Sequence, residues 1–430
     1  MTLQSNIIGI IADDLTGAND TALQFHLKGC NTQILLDYAS VPVSKINTQA
    51  WAISTETRNK SPKDSAQIVK EATKYLINNF NIENIYKKID STLRGNIAQE
   101  CLAVLEVMGG DAAVIVPAFP SEGRTTVGGY HLLKGMPIER TDVARDPHFP
   151  VSQSHVPTLL QNQVNNPEIV AHIQLNTVMK GAGPILMELK KMVEEHKKLI
   201  VIDAVTTTDM EQIALAIEKC NSKLLPCGSA GLAQVMTKCW LPDTKYQHIT
   251  KVIPSLPIFI LSGSKTALSK TQLKKLGEFD EFDSCVIELS LEQVITKPEE
   301  SFIENIKTHL ETEKVVAISF KEYENENAKA VEVGVCVENI PKLIMDYFVL
   351  LCSKIVKTEN LILVTVGGET SYKCCNALEN KHLQLIDQVE PAIPICLDHE
   401  ARWIVTKSGN FGTPNTLINI VKYFKQHQEL

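Results

Sequence analysis

The feature that most limits the fold of this chain is an alternation. Short, wholly apolar runs are separated by longer stretches whose apolar residues recur at helical spacing. Ile7–Ala12, Thr32–Leu36, Ala50–Ser54, Ile85–Ile89, Ala112–Val116, Leu199–Asp203 and Lys223–Pro226 read as buried strands. Gly17–Lys28, Ser65–Asn79, Asn96–Met108, Pro184–Glu195 and Asp209–Lys219 read as the helices between them. Strands separated in this way by helices imply βαβ units, and so a parallel sheet covered on both faces. The pattern restarts after residue 250. Strands are expected at Ile258–Leu261, Ser284–Leu289, Val315–Ser319, Asn360–Val366 and Trp403–Thr406, and helices at Lys265–Gly277, Glu332–Lys357, Glu369–Leu378 and Pro414–Gln426. Leu241–Pro257, with its three prolines, separates the two regions. The expected fold is α/β: two α/β domains with mainly parallel sheets, at 1–245 and 255–430, and an interdomain cleft as the active site.

Composition removes several functions. A chain of 430 residues that is 44% hydrophobic is long enough for a large core and too apolar for disorder. Fifty acids against 42 Lys and Arg give a net charge of -8, which repels phosphate backbones and argues against a nucleic-acid partner. The longest apolar runs, such as Ala112–Val116 and Leu361–Val366, fall far short of the ~20 residues of a membrane helix. The opening MTLQSNIIGIIADDLTG lacks a basic stretch before its apolar run, so no signal peptide is read and a cytoplasmic location is expected. The 11 cysteines are odd in number and irregularly spaced, with Cys374-Cys375 the only close pair, and read as reduced thiols. The charge clusters Glu299–Glu304 and Lys321–Lys329 read as solvated surface.

Three motifs in the first region place reactive side chains just after strands, where open α/β sheets bind ligands. In Ala12-Asp13-Asp14-Leu15-Thr16-Gly17-Ala18, two carboxylates stand between a strand and a helix. One of them can be the helix cap, but a helix has a single N-cap, so the other is available to take a proton or hold a metal. In Lys88-Ile89-Asp90-Ser91-Thr92-Leu93-Arg94-Gly95-Asn96, Lys88 and Arg94 could bracket an anion and Ser91 and Thr92 could bind sugar hydroxyls. The alternative is that Asp90 or Ser91 caps the next helix. In Pro117–Tyr130, Arg124 is a candidate two-point carboxylate clamp, against the alternative of a structural hairpin. Arg58 follows the strand Ala50–Ser54, and Ala144-Arg145-Asp146-Pro147 lies in a loop-rich stretch. Four arginines near loops suggest an acid-bearing substrate.

The second region has glycine-rich strand exits at Leu261-Ser262-Gly263-Ser264, Val366-Gly367-Gly368-Glu369-Thr370-Ser371 and Lys407-Ser408-Gly409-Asn410-Phe411-Gly412. Exposed amides beside a helix N-terminus cradle phosphate, and three such loops point to a nucleotide. Gly263-Ser264-Lys265-Thr266 lacks the Walker frame, and no GxGxxG is present, which disfavours a nicotinamide cofactor. The residues alone fit a phosphoryl transferase best.

Together these strings resemble the four-carbon acid sugar kinase family. The resemblance rests on ADDLTGA (Ala12–Ala18), KIDSTLRGN (Lys88–Asn96), PAFPSEGRTT (Pro117–Thr126), GSAGLA (Gly228–Ala233), GGETS (Gly367–Ser371) and TKSGNFG (Thr406–Gly412). It implies an N-terminal acid-sugar domain and a C-terminal nucleotide domain. The implied activity is ATP-dependent phosphorylation, with Mg2+, of the 4-hydroxyl of a tetronate such as D-threonate, D-erythronate or 3-oxo-tetronate. By matching position, Ser264, Gly367, Gly368, Glu369, Thr370 and Gly409 would meet ATP. Arg58, Lys88, Asp90, Ser91, Thr92, Arg94 and Arg124 would meet the sugar acid, with Asp13 or Asp14 as proton acceptor or metal ligand. Ala144-Arg145-Asp146-Pro147 is more similar to the threonate and erythronate kinases than to the 3-oxo-tetronate branch. Ala392 stands where the resemblance leads one to expect Gly. A homodimer is entertained as the assembly. A longer aldonate as substrate, and a sugar-acid or nucleotide-binding regulator without catalysis, are the competing readings.

Overall fold

A computed structural model describes residues 7–40, 48–146, 149–241, 255–312, 315–321, 323 and 325–426. Pro147 and most of the expected boundary segment Leu241–Pro257 lie outside the described residues. The chain forms two compact units, Met1–Gln247 and His248–Leu430.

In the first unit the strands are β1 (Ile8–Ala12), β2 (Thr32–Leu35), β3 (Ala50–Ser54), β4 (Asn84–Lys88), β5 (Ala112–Val116), β6 (Arg124–Val127), β7 (Tyr130–Leu133), β8 (Met136–Pro137), β9 (Val170–Ile173), β10 (Leu199–Ile202) and β11 (Leu224–Gly228). The main sheet runs β2-β3-β1-β4-β11-β5-β10-β9, and its strand pairs are parallel. β6, β7 and β8 form a separate antiparallel sheet. The winding reverses at β1, which has β3 on one side and β4 on the other.

Sequence chemistry sets the helix ends. Asp14 caps Leu15–His26 by accepting from Gly17 N, and Ser61 caps Pro62–Phe80 with proline in its first turn. Helix Ile97–Met108 stops at Gly109, whose φ of 63° is the left-handed conformation that glycine adopts without penalty.

The second unit holds β12 (Ile258–Ser262), β13 (Ser284–Leu289), β14 (Val315–Phe320), β15 (Ile362–Val366), β16 (His382–Glu390), β17 (Ile393–Asp398) and β18 (Trp403–Lys407). Their order is β13-β14-β12-β15-β18-β17-β16. β12 is flanked by β14 and β15 just as β1 is flanked by β3 and β4, so both units open with the same winding. β17 is antiparallel to both its neighbours β16 and β18. No described helix is long and apolar enough to cross a membrane. All eleven cysteines are free thiols.

The structure departs from sequence expectation in places. Glu332–Lys357 is not one helix: Gly334 at φ 73° separates Glu326–Glu332 from a 3-10 turn at Val337–Asn339 and a helix at Ile340–Leu351. Each charge cluster read as surface runs into a helix, Glu300–Thr312 and Glu326–Glu332, whose apolar side is buried through Ile303, Ile306, Leu310 and Ala330. β9, β16 and β17 were not anticipated, and neither were the helices Val156–Gln163 and Ala230–Trp240.

One buried charge pair braces the first unit. Lys87 is fully buried on β4, and its Nζ lies 2.7 Å from Glu100 on helix Ile97–Met108. Glu100 also accepts from Ser65 of helix Pro62–Phe80 at 2.6 Å, so both helices are tied to the central strand. Removing one member leaves a bare buried charge. Lys87→Met is therefore expected to cost about 3–5 kcal/mol, and Lys87→Met/Glu100→Leu to recover most of that loss. Urea unfolding of the two variants measures the difference.

Candidate active site

The loops that leave β1, β3 and β4 meet where the winding reverses. Asp13 and Asp14 come from β1, Arg58 from beyond β3, and Asp90 to Arg94 from β4. The β3 loop is held against the β1 loop by its backbone: Thr55 N donates to Ala12 O and Thr57 N to Asp13 O. That places Arg58 between the acids. Its Nε and Nη2 donate to Asp13 at 2.8 and 3.0 Å, and its Nη1 donates to Asp14 at 2.7 Å. Asp90 lies 3.8 Å from Nη2.

The backbone is shaped around this contact. Gly95 has φ 92°, and a Cβ there would stand 3.5 Å from Asp13 and 3.6 Å from the Arg58 Cα. Gly17 is tighter: its Cβ would lie 2.6 Å from the Asp14 carboxylate and 2.9 Å from Lys88 Nζ. Glycine at position 17 is thus favoured by close approach rather than by φ, since a Cβ would displace the Asp14 cap or the Lys88 ammonium.

Both acids of the Asp-Asp pair are buried, and their roles differ. Asp14 is the helix cap and also accepts from Thr16 at 2.8 Å. Burial pushes its carboxyl up, but Arg58 and Lys88 outweigh burial and leave it below its ordinary value. Burial prevails at Asp13, which is raised in spite of Arg58. Asp90 does not cap a helix. Its carboxylate accepts from Arg94 Nε at 2.8 Å and from Thr92, and against the effect of burial Arg94 and Arg58 hold it well below the ordinary range. Arg94 continues to Asp146 at 2.9 Å, which ties the Ala144–Asp146 stretch to the same network. Arg124 sits at the start of β6, within a hairpin as the alternative reading had it, and its Nε donates to Ser91 Oγ at 3.2 Å. Arg58 and Arg94, expected to face a substrate anion, are engaged by the protein's own carboxylates. Lys88 differs: it is buried, donates to the Ile89 carbonyl at 2.9 Å, and forms no ion pair among the described residues.

Two acids that the motif reading passed over also belong here. Glu56 follows β3 at φ 50°, a left-handed conformation that costs a non-glycine residue energy and marks a constrained turn. It accepts from Ser54 Oγ at 2.6 Å, and burial with the nearby Asp14 charge pushes its carboxyl up to about 8. Asp20 lies on helix Leu15–His26, where an acid reads as a solvent-facing residue, yet it is 6% exposed. Burial pushes it up to about 6. The signal that could have found it is its place three residues after Gly17, on the face that Gly17 presents to Lys88.

In the second unit the strand exits of β12, β15 and β18 also converge. Thr266 and Ser269 donate to Gly409 O at 2.8 and 3.1 Å, and Ser269 donates to Ser264 Oγ at 3.0 Å. A Cβ on Gly409 would run into Ser264 Oγ, and one on Gly263 would run into Thr370 Oγ1. Gly367, at φ 117°, is the N-cap residue of helix Gly368–Ala377, whose first turn carries Glu369 and Thr370. Ser264, the Gly367–Thr370 turn and Gly409 are therefore neighbours. Beside them a cavity of ≈ 990 Å³ extends between the ends of β12, β13 and β14. Ser264 and Lys265 line it at one end and Leu289, Phe320 and Ile344 along its apolar wall, a size and character suited to a nucleotide. Gly367, Glu369, Thr370 and Gly409 are not part of its lining. Lys407, quoted in the TKSGNFG string but given no role there, is fully buried at the end of β18; burial lowers its ammonium to about 8, and it donates to Ser408 O at 2.9 Å. Ala392 occupies the β16–β17 turn at φ 64°, which accounts for the expected glycine by backbone conformation.

The raised Glu56 carboxyl has a consequence for stability. Its folded value of about 8 lies above its ordinary 4.5, so the folded protein holds this proton more tightly than the unfolded chain. The Glu56 contribution therefore weakens as pH rises from 4.5 through about 8. Glu56→Gln removes it, and the stability of the variant relative to wild type should grow with pH across that window. Urea unfolding at intervals of pH checks this.

The chain is similar to known proteins along nearly its whole length. Residues 8–236 match the family model described as the sugar-binding N-terminal domain, and residues 259–417 that of the nucleotide-binding C-terminal domain. Among similar curated proteins, a D-erythronate kinase of Heliobacterium modesticaldum is 30% identical over 97% of each chain. A D-threonate kinase of Salmonella typhimurium is 26% identical over 97% of this chain and 98% of its own length. A 3-oxo-tetronate kinase of Brucella melitensis is 25% identical over 94% and 93%. A solved structure from Salmonella typhimurium shares the fold at a TM-score of 0.81 and 22% identity, over 97% of this chain and 99% of that one.

Proposed function

This chain belongs to the four-carbon acid sugar kinase family, and on that footing we propose that it transfers the γ-phosphate of ATP to the 4-hydroxyl of D-erythronate or D-threonate. The observation that carries the reading is the gathering of the β1, β3 and β4 exits around Arg58 in one unit, and of three glycine- and hydroxyl-rich exits beside a nucleotide-sized cavity in the other. The family models divide the chain in the same way.

In this reading the first unit holds the sugar acid. Lys88, with no ion pair among the described residues, and Arg124, buried beside Ser91, are the cations best placed for its carboxylate. Arg58 and Arg94 act through the acids they hold, keeping Asp13, Asp14 and Asp90 ordered. Ser91 and Thr92 supply hydroxyls. The second unit holds the nucleotide, with the base in the apolar part of the cavity and the phosphates toward Ser264 and the Gly367–Thr370 and Gly409 turns. Glycine at these turns lets a phosphate approach the backbone, and the helix N-terminus at Gly368 favours negative charge.

Phosphoryl transfer demands position and charge stabilisation more than covalent chemistry. Asp13 or Asp14 takes the proton of the attacking hydroxyl. Among the described residues no group of three or more metal-binding side chains occurs, which suits Mg2+ carried mainly by the phosphates with at most one or two carboxylates added. Such an ion supplies neutralisation of phosphate charge, and Asp13 or Asp14 is the carboxylate that would meet it.

An ADP-release assay over D-threonate, D-erythronate, L-threonate and 3-oxo-tetronates tests the activity. Turnover with D-erythronate or D-threonate is the expected result, and none with any four-carbon acid removes the proposal. Asn caps a helix as well as Asp does, so Asp14→Asn preserves the cap. Its turnover is expected to fall by about 10²-fold or more, with little change in nucleotide binding. Wild-type-like turnover in both Asp13→Asn and Asp14→Asn would rule out either acid as the base.

A further inference from the structure

We propose that Asp20 is a substrate-binding residue whose carboxylate accepts a hydrogen bond from a hydroxyl on C2 or C3 of the sugar acid. This rests on the kinase reading above and deepens it, because it concerns how the first unit reads the substrate's own hydroxyls.

The inference starts from an unused atom. Asp20 is 6% exposed, and its Oδ1 is buried with no hydrogen-bond partner among the described residues. A buried carboxylate oxygen without a donor is costly, and folded proteins keep few of them. The acids around it show the contrast. Asp13 and Asp90 receive both oxygens' worth of donors from Arg58 and Arg94, and Asp14 is engaged by Gly17, Thr16 and Arg58. Asp20 has no ion pair among the described residues, although Lys88 and Arg124 are near enough for their charges to act on it, with Glu122 and Asp14 opposing.

Gly17 is three residues before Asp20 on the same helix face, and a Cβ there would meet Lys88 Nζ. Among the described residues Lys88 donates only to a backbone carbonyl. An unfilled buried acceptor on the helix, and beside it a buried ammonium from β4 with no ion pair among the described residues, match a molecule that carries hydroxyls and a carboxylate a few carbons apart. The ammonium suits the carboxylate, and Asp20 suits an adjacent hydroxyl. A carboxylate accepts from an O–H but repels a carbonyl oxygen, so this residue also favours a hydroxy acid over a keto acid at the carbon it reads.

Asp20→Asn and Asp20→Ala, assayed by ADP release, test this. The substrates are the tetronate preferred by wild type and its 2-deoxy and 3-deoxy counterparts, 3,4-dihydroxybutanoate and 2,4-dihydroxybutanoate. The expected result is a loss of about 10- to 100-fold in kcat/KM on the full tetronate. On the analogue that lacks the hydroxyl Asp20 binds, the loss should shrink to a fewfold. Ligand-free protein should melt no lower in either variant, because the wild-type residue carries an unmet hydrogen-bonding need. Equal losses on all three substrates, an unchanged kcat/KM, or a lowered melting temperature or failed folding in both variants overturns the proposal. Wild type that releases ADP with no four-carbon acid fails the kinase reading itself, and is seen before any variant is compared. In that event calorimetric titration with D-erythronate and D-threonate decides Asp20 separately. Binding by wild type that weakens in Asp20→Asn supports it, and no binding, or equal binding, overturns it.

Discussion

The first unit's site depends on one guanidinium. Asp13, Asp14 and Asp90 stand at the exits of adjacent strands, all buried, and carboxylates so close cannot all ionise without a counter-charge among them. Arg58 provides it from the third strand exit, with separate nitrogens directed at Asp13 and Asp14 and Asp90 within 3.8 Å. A lysine could not take its place. Its single ammonium is a point, whereas the planar fork of arginine satisfies acceptors on two residues at once. The constraint spreads outward: Arg58 fixes the acids, Asp14 fixes the first turn of helix Leu15–His26, and that helix sets where Gly17 and Asp20 face Lys88.

The two units share a winding and differ in chemistry. In each, the first strand is flanked by the third and fourth, but the exits that meet differ: those of β1, β3 and β4 in the first unit, and those of β12, β15 and β18 in the second. The first unit fills that point with charged side chains, and the second with glycines and hydroxyls. The difference follows from what each would bind. A small polyol acid carries one charge and several hydroxyls, and its recognition calls for side chains of both kinds. A nucleotide brings its own dense charge, which backbone amides and a helix N-terminus can meet without paired ions in the wall.

What could be read from the sequence separates along physical lines. Strand and helix alternation was legible because burial on both faces makes parallel strands continuously apolar, as in Ala112–Val116. The motif residues were legible because their types and spacing mark loops after strands. Pairing was not. Arg58 and Asp13 are 45 residues apart, and nothing local states that the arginine serves the acids rather than a ligand. β16 was missed because the polar-interrupted His382–Glu390 lacks the apolar run that identifies a central strand, and β17 because Pro394 inside Ile393–Asp398 reads against a strand. Gly334 was passed over inside an apparent helix, although its φ of 73° ends one. Asp20 was hidden by the ordinary expectation that an acid within a helix faces water.

That last case bears on how acids in such a site are told apart. Asp13, Asp14, Asp90 and Asp20 are all buried, so burial alone does not rank them. The number of donors already committed to each does. A carboxylate has about four lone-pair positions, and every one filled by the protein is closed to a ligand. Asp90 meets Arg94 and Thr92, and Asp14 meets a backbone amide, a hydroxyl and a guanidinium. These acids are held in place by the fold. Asp20 is the buried acid whose oxygen is left unmet among the described residues. Keeping such a group charged in the interior opposes folding, and a chain gains by tolerating it only where a partner arrives later. The free energy withheld from the fold is then available to the ligand, which makes an unsatisfied buried side chain a better guide to binding than a well-satisfied one.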